Sequence, residues 1–168
     1  LIIGRGMRNE YAEKRERKTF EQIDAEVRNE LTVTKNLNKS LMDDVRFLKT
    51  QTDKLGFVSA MSDHVRPNQT KKHDQSDWHI KEAHVISPLL AYISKEAFND
   101  AKFPPTNWFS DDVMCRDLSA LGYRHFISRS YVHHAGSQSI GKDVVKHLEQ
   151  AKPWVEANRP EYFKEWYV

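Results

Sequence analysis

Apolar residues recur along the chain at two kinds of spacing, and each kind predicts a different element. Phe20, Ile23 and Val27 lie three and four positions apart within the charged stretch 11–30. That spacing is typical of one apolar stripe on an otherwise solvated helix. The β-branched alternation over 31–34 then predicts a short strand.

A second helical stretch is predicted over 45–55, where apolar positions recur at helical spacing up to Gly56. Asp43 and Asp44 stand in front of this stretch, where acids commonly cap free backbone N–H groups. The apolar run 57–61 then predicts a buried strand.

Predicted helices and strands alternate through the rest of the chain. This alternation favours an α/β fold in which helices flank the faces of a sheet. The further predicted elements are a strand over 1–4, a polar loop over 63–78, a helix capped by Ser94, a helix over 111–121 that ends at Gly122, a strand over 125–132 and a helix over 142–151.

Composition narrows the class of protein. With 168 residues, 39% of them hydrophobic and 30% charged, the chain is long enough for one soluble domain with a core. A net charge of +2 argues against a nucleic-acid partner, because such domains carry a larger basic surplus.

The single cysteine, Cys115, excludes an intrachain disulfide and favours a reducing compartment. No membrane span or signal peptide is visible, so we expect a cytoplasmic protein.

Two acid pairs are candidates for chemistry. Asp111 and Asp112 open a predicted helix, where capping alone would explain them, but adjacent acids can also accept a proton from a substrate. Helix capping alone would likewise explain Asp43 and Asp44. Carboxylates after a loop also form half of a site for Mg²⁺ or Mn²⁺.

A histidine pair follows the predicted strand 125–132. His133 and His134 stand beside small residues, at the strand end where ligand sites of α/β proteins occur. Imidazole combined with carboxylate suits Mn²⁺ better than Mg²⁺. The small residues that follow, Ser137 and Ser139 among them, would let the backbone approach a phosphate closely.

Three stretches in a fixed order carry a resemblance to a known family. They are "ISKEAF" (93–98), "FSDDVMCRDLSALGY" (109–123) and "YVHHAGSQS" (131–139). Together they resemble the C-terminal half of a GT-A fold glycosyltransferase of the family-2 type, over 93–168. Upstream, "LMDDV" (41–45) is similar to the acidic metal motif of that family.

The resemblance implies a GT-A-like, Rossmann-like mixed sheet flanked by helices, with a shortened nucleotide-binding half. Only about fifteen residues separate the first predicted helix from the acidic motif, where the family has further strands. The implied organisation is a domain over 1–152, made of a reduced nucleotide and metal half (1–56) and an acceptor and catalytic half (57–152), followed by an aromatic tail over 153–168.

The implied activity is metal-dependent, inverting transfer of a sugar from a UDP- or GDP-linked donor to an acceptor hydroxyl. The acceptor would be a glycan, a lipid-linked molecule or a protein, and a lipid-linked one would place the enzyme at a membrane surface. Asp111 would act as the base, and Asp112 would orient either the acceptor or Asp111. The residues implied for Mn²⁺ or Mg²⁺ are Asp43, Asp44, His133 and His134, and those implied for the donor phosphates are Asp43, Asp44, His133, Ser137 and Ser139.

Three alternatives stay open at this point. The short middle, and Val113 where the family often has another acid, are compatible with a degenerate, non-catalytic GT-A-like binding domain. The charged stretch 11–55 is compatible with a helical interaction module, although its apolar positions do not hold a heptad for long. A metal-dependent hydrolase would use the same acids and histidines. Oligomeric state, donor sugar and acceptor are not specified.

Overall fold

The structure is a computed structural model that describes residues 20–63, 65–70, 79–134 and 144–167. Its contacts divide the chain into two compact units, 1–36 and 37–168. The described part of the first unit is helical, and the second unit contains the sheet. Three predictions lie outside the described residues. They concern the strand over 1–4, the phosphate contacts Ser137 and Ser139, and residues 71–78 of the predicted loop 63–78.

The described elements are α1 (Phe20–Lys49), β1 (Leu55–Met61), β2 (Lys81–Ala83), β3 (Ala91–Tyr92), α2 (Lys95–Asp100), α3 (Ser110–Ala120), β4 (Arg124–Tyr131), α4 (Val144–Asn158) and α5 (Pro160–Tyr167). The strands form one sheet in the order β2-β4-β1-β3. The central pair β1 and β4 is parallel, and each outer strand is antiparallel to its neighbour. The prediction of an α/β protein with a mixed, helix-flanked sheet is therefore confirmed.

The sheet is covered on both faces. Adjacent residues of β1 face opposite sides, as the pleat requires. Phe57 joins an apolar cluster with Met114 and Leu118 of α3, whereas Val58 joins a second cluster with Val45 of α1. The two helices thus hold the central strands between them. Among the described residues, no helix is long and apolar enough to cross a membrane.

The long helix α1 overturns three predictions. The strand predicted over 31–34 lies inside it, Asp43 and Asp44 lie within it instead of before it, and the helix predicted to end at Gly56 ends at Lys49. Residues 20–49 contain neither glycine nor proline, so nothing in the backbone interrupts the helix. Burial of the apolar stripe that continues past residue 40 then outweighs the local β propensity.

Signals at the ends of two helices were predicted correctly. The Ser94 hydroxyl accepts a hydrogen bond from the Ala97 backbone N–H at 3.0 Å and caps α2. Gly122 has a φ of +88°, a conformation that suits glycine after the last turn of α3. The helix predicted over 142–151 is α4, which continues through Pro153 because Val155 is fully buried beyond it.

Candidate active site at the carboxyl edge of the parallel strands

The candidate site lies where the two parallel strands end. Met61 of β1 pairs with Tyr131 of β4, and the Val132 N–H donates to the Met61 carbonyl at 2.9 Å. The Ser62 hydroxyl donates to the Val132 carbonyl at 2.7 Å, so the chain segments that leave the two strands run side by side. Ligand sites of α/β sheets occur at this edge.

Asp63 joins the two strand ends. Its carboxylate accepts a hydrogen bond from the Tyr131 hydroxyl and lies 2.5 Å from Nδ1 of His133. The hydrogen bond to Asp63 raises the pKa of Tyr131 above its ordinary value. The predicted site residue His133 is thus held by a carboxylate, a contact that fixes the ring orientation of a functional histidine.

Arg66, in the same loop as Asp63, forms ion pairs with Asp111 and Asp112. They lie in the first turn of α3, whose N-cap is Phe109, so neither acid is the capping residue. Arg66 Nη2 lies 2.5 Å from Asp112 Oδ2 and 3.3 Å from Asp111 Oδ2. One loop after β1 therefore contributes both the partner of His133 and the partner of the two acids.

Burial of Asp112 sets the electrostatics of the acid pair. Asp112 is 9% exposed, and this burial raises the pKa of its carboxyl above the ordinary value. Arg66 acts in the opposite direction, and the neighbouring Asp111 carboxylate raises the pKa further. Two adjacent acids, one of them shifted by burial and a specific partner, are typical of a site that transfers protons.

The loop that carries Arg66 is anchored by a buried glutamine. Gln69 is fully buried, and its Nε2 donates to the Ala60 and Ser87 carbonyls, each at 2.8 Å. Its Oε1 accepts from the Ser87 N–H at 2.9 Å. The Arg66 carbonyl in turn accepts from the Gln69 and Thr70 N–H groups. Arg66 is therefore presented by a fixed turn.

Asp63 and Arg66 were not predicted as site residues. Both stand in a polar stretch that the sequence assigns to a surface loop. The available signal for Asp63 was its position two residues after the apolar run 57–61, just past the end of a predicted strand. Nothing in the local sequence marks Arg66, because its partners are 45 and 46 residues away.

The predicted metal ligand Asp44 lies elsewhere. It is fully buried in α1, and its carboxylate accepts three hydrogen bonds from Arg129 of β4. The backbone N–H donates at 2.8 Å, Nε at 2.9 Å and Nη2 at 2.5 Å. These donors bind both carboxylate oxygens. Asp44 therefore connects the helix to the sheet, and its carboxylate is engaged by Arg129 instead of a cation.

Asp43 is also paired. Its carboxylate lies 2.7 Å from Lys39 Nζ and 2.7 Å from Arg46 Nη1, both on the same helix. The hydrogen bond from Lys39 lowers the pKa of Asp43 below its ordinary value. Across 20–63, 65–70, 79–134 and 144–167, no three His, Cys, Asp or Glu side chains form a group that could hold a metal ion.

The predicted ligands Asp43, Asp44, His133 and His134 are therefore not assembled into a metal site. The physical reason is that α1 continues unbroken through both acids. Asp44 therefore faces Arg129 of β4, and Asp43 lies on the helix surface. These residues do not fit the expected Mn²⁺ or Mg²⁺. The structure instead forms two groups on the loop after β1, which are Asp63 with Tyr131 and His133, and Arg66 with Asp111 and Asp112.

No family model, curated protein or solved structure matches this chain.

Proposed function

We propose that this chain is a glycosyltransferase that moves a sugar from a nucleotide-sugar donor to an acceptor hydroxyl, with inversion at the anomeric carbon. The observation that carries the proposal is the acid pair of α3, held by Arg66 beside the loop that also holds His133. The order of the motifs over 93–168 and the mixed sheet around a parallel β1/β4 pair support a GT-A-like fold.

Asp111 is the proposed base. Its side chain is 22% exposed against 12% for Asp112, and it lies farther from Arg66. Asp111 takes the proton of the acceptor hydroxyl while the hydroxyl oxygen attacks the anomeric carbon. The new C–O bond forms as the bond to the donor diphosphate breaks, and the electron pair leaves with the nucleoside diphosphate.

Asp112 and Arg66 are the proposed positioning residues. Arg66 compensates the charge of the more buried acid and so offsets part of the repulsion between the two carboxylates. His133, with Nδ1 on Asp63, is the proposed contact for the donor phosphates through its other ring nitrogen. Asp112, Arg66 and His133 are each held in position by contacts with other side chains, and group transfer requires such fixed positions.

The divalent cation expected from the resemblance is not used in this mechanism. Asp43 and Asp44 are committed to Lys39, Arg46 and Arg129, so a cation would need other ligands. The proposed donor is UDP- or GDP-linked. The proposed acceptor is a glycan, a lipid-linked molecule or a protein, and the proposed setting is the cytoplasm, at a membrane surface where the acceptor is lipid-linked.

A degenerate GT-A-like domain that binds without catalysis is the second candidate. The observation that favours it is the ion pair of Asp44 with Arg129, which replaces the expected metal ligand by a structural contact. Both candidates use the same edge of the sheet. They differ in whether Asp111 takes part in turnover.

The test combines binding and turnover. UDP, GDP and their sugar conjugates are titrated calorimetrically, with Mn²⁺ or with EDTA, into the wild type, Asp111→Asn and the control Asp53→Asn, an exposed acid before β1. We expect Asp111→Asn to keep nucleotide binding and to lose donor turnover by about 10²–10⁴-fold.

Binding with unchanged turnover in Asp111→Asn would overturn the role of Asp111. Binding without any turnover in the wild type would favour the degenerate domain, and no binding at all would overturn both candidates.

A further inference from the structure

The apolar stripe of α1 is buried along one part of the helix and exposed along another. Leu41 and Val45 are 4% and 1% exposed, whereas Val27 and Leu31 are 47% and 53% exposed. At about 100° per residue these four side chains fall within about 80° of one another around the helix. The stripe that packs on the sheet therefore has a counterpart on the same face of the earlier turns.

The described residues of the earlier turns include several of low helix propensity. Val27, Thr32 and Val33 are β-branched and lower the helix propensity. The Asp24–Arg28 ion pair at 2.7 Å is exposed and adds little stability. Helices of about 15 residues are marginal alone in water. Burial of the exposed Val27 and Leu31 side chains would add to the stability of these turns.

We infer that residues 20–36 of α1 pair with the same segment of a second copy of this chain, in antiparallel orientation. The axis of the pair passes between Val27 and Leu31, so each Val27 packs beside the partner's Leu31. A two-fold axis of this kind is the usual symmetry of homodimers and makes the two contact surfaces identical. This inference does not depend on the proposed function.

Charge argues for a second copy and for the antiparallel direction. Asp24 and Lys35 lie on the same flank of the stripe, about 60° and 80° from Val27 at helical spacing. When Val27 faces the partner's Leu31, Asp24 falls within about one residue of the partner's Lys35. This pairing occurs twice. In a parallel two-fold pair the same flanks lie on opposite sides of the contact, so Asp24 would not face the partner's Lys35.

The size of the contact sets its strength. The 17 residues of segment 20–36 span only about 25 Å. The surface buried by two such helices lies at or below the lower end of about 1,200–2,000 Å² that stable complexes bury. We therefore expect a dimer that dissociates on dilution.

Sedimentation velocity of the full chain over a wide concentration range tests the pairing. We expect the mass to rise to that of a dimer in the wild type and to stay that of a monomer in Leu31→Lys. The matched control is Val33→Lys, because Val33 is 50% exposed but lies about 160° around the helix from Leu31. This control should dimerise like the wild type. A monomeric wild type at every concentration, or equal loss of dimer in both variants, would overturn the inference.

Cysteine cross-linking tests the direction. Cys115 is buried and burial raises its pKa to about 12, so a mild oxidant acts on an introduced exposed cysteine. Antiparallel pairing predicts a disulfide between Val27→Cys and Leu31→Cys chains when the two are mixed. It predicts little disulfide in either variant alone. The reverse result would contradict the antiparallel arrangement.

Discussion

Gly56 of β1 lies against the imidazole ring of His125 of β4. A methyl group at position 56 would come within 2.6 Å of both Cε1 and Nδ1 of that ring, and within 3.1 Å of the Arg124 carbonyl oxygen. The missing side chain at residue 56 therefore makes room for a buried histidine in the neighbouring strand. Several measurable properties of the fold follow from contacts of this kind.

Gly56→Ala should destabilise the protein by about 1–3 kcal/mol, because the ring and the strand backbone must shift to accept the methyl group. Urea unfolding measures the change. The double variant Gly56→Ala with His125→Ala is the control, since removal of the ring relieves the collision. If Gly56→Ala costs the same with and without the ring, the contact does not limit residue 56.

The stability of the fold should fall in mild acid because of His125. Its Nδ1 accepts from the Phe57 N–H at 3.0 Å and its Nε2 donates to the Cys115 carbonyl at 2.9 Å, so the folded state holds the neutral ring. Burial lowers the pKa of His125, although Glu82 nearby acts in the opposite direction.

The sign of the pH effect follows from proton uptake. The unfolded chain binds a proton at His125 below about pH 6.5, and the folded chain binds it only at lower pH. The contribution of His125 is therefore complete above about pH 6.5 and is lost as the pH falls toward the lowered folded value. Urea midpoints measured across this range should show a steeper acid loss in the wild type than in His125→Gln. The same substitution at the exposed His79 should leave the slope unchanged.

Asp44→Asn should destabilise the fold by about 1.5–3 kcal/mol, because the fully buried carboxylate accepts charge-assisted hydrogen bonds from Arg129 that the amide weakens or loses. The adjacent Asp43→Asn should have a much smaller effect on stability, since its ion pairs are on the surface. Thermal unfolding of both variants, with Mn²⁺ or with EDTA, measures the difference. A stabilisation by Mn²⁺ that Asp44→Asn abolishes would show instead that Asp44 binds metal.

Arg66→Gln should cost more stability, relative to the wild type, at neutral pH than in mild acid. Without the guanidinium, Asp111 and Asp112 face each other uncompensated, and the pKa of Asp112, already raised by burial, should rise further. A carboxyl with a raised folded pKa binds its proton more tightly in the folded state. Its favourable contribution is therefore present at low pH and is lost as the pH rises through the folded pKa.

The measurement for Arg66→Gln is the unfolding free energy in mild acid, at pH 5, and above neutrality, at pH 8. The deficit relative to the wild type should be larger at pH 8. Arg124→Gln is the control, because Arg124 pairs with Glu82 at the surface, away from the acid pair. An equal deficit at both pH values would indicate that Arg66 contributes packing and no charge compensation.

Several elements follow from the sequence by itself. The apolar run 57–61 was sufficient to predict β1, and the Ser94 cap and Gly122 marked the ends of two helices, because capping and turn conformations depend on the residue itself. The position of Asp111 and Asp112 at the start of α3 was equally local. These signals involve neighbours within a few residues, where side-chain chemistry and backbone conformation are directly linked.

Tertiary packing decided the rest. The β-branched residues over 31–34 favour a strand locally, yet α1 runs unbroken because no residue stops it and its later turns are buried on the sheet. The partner of Asp44 is 85 residues away in β4, and that of His133 is 70 residues away in the loop after β1. Local periodicity contains no information on such pairs. They form because parallel pairing of β1 with β4 places distant strand ends at one edge, and there the loop from β1 reaches the acids of α3.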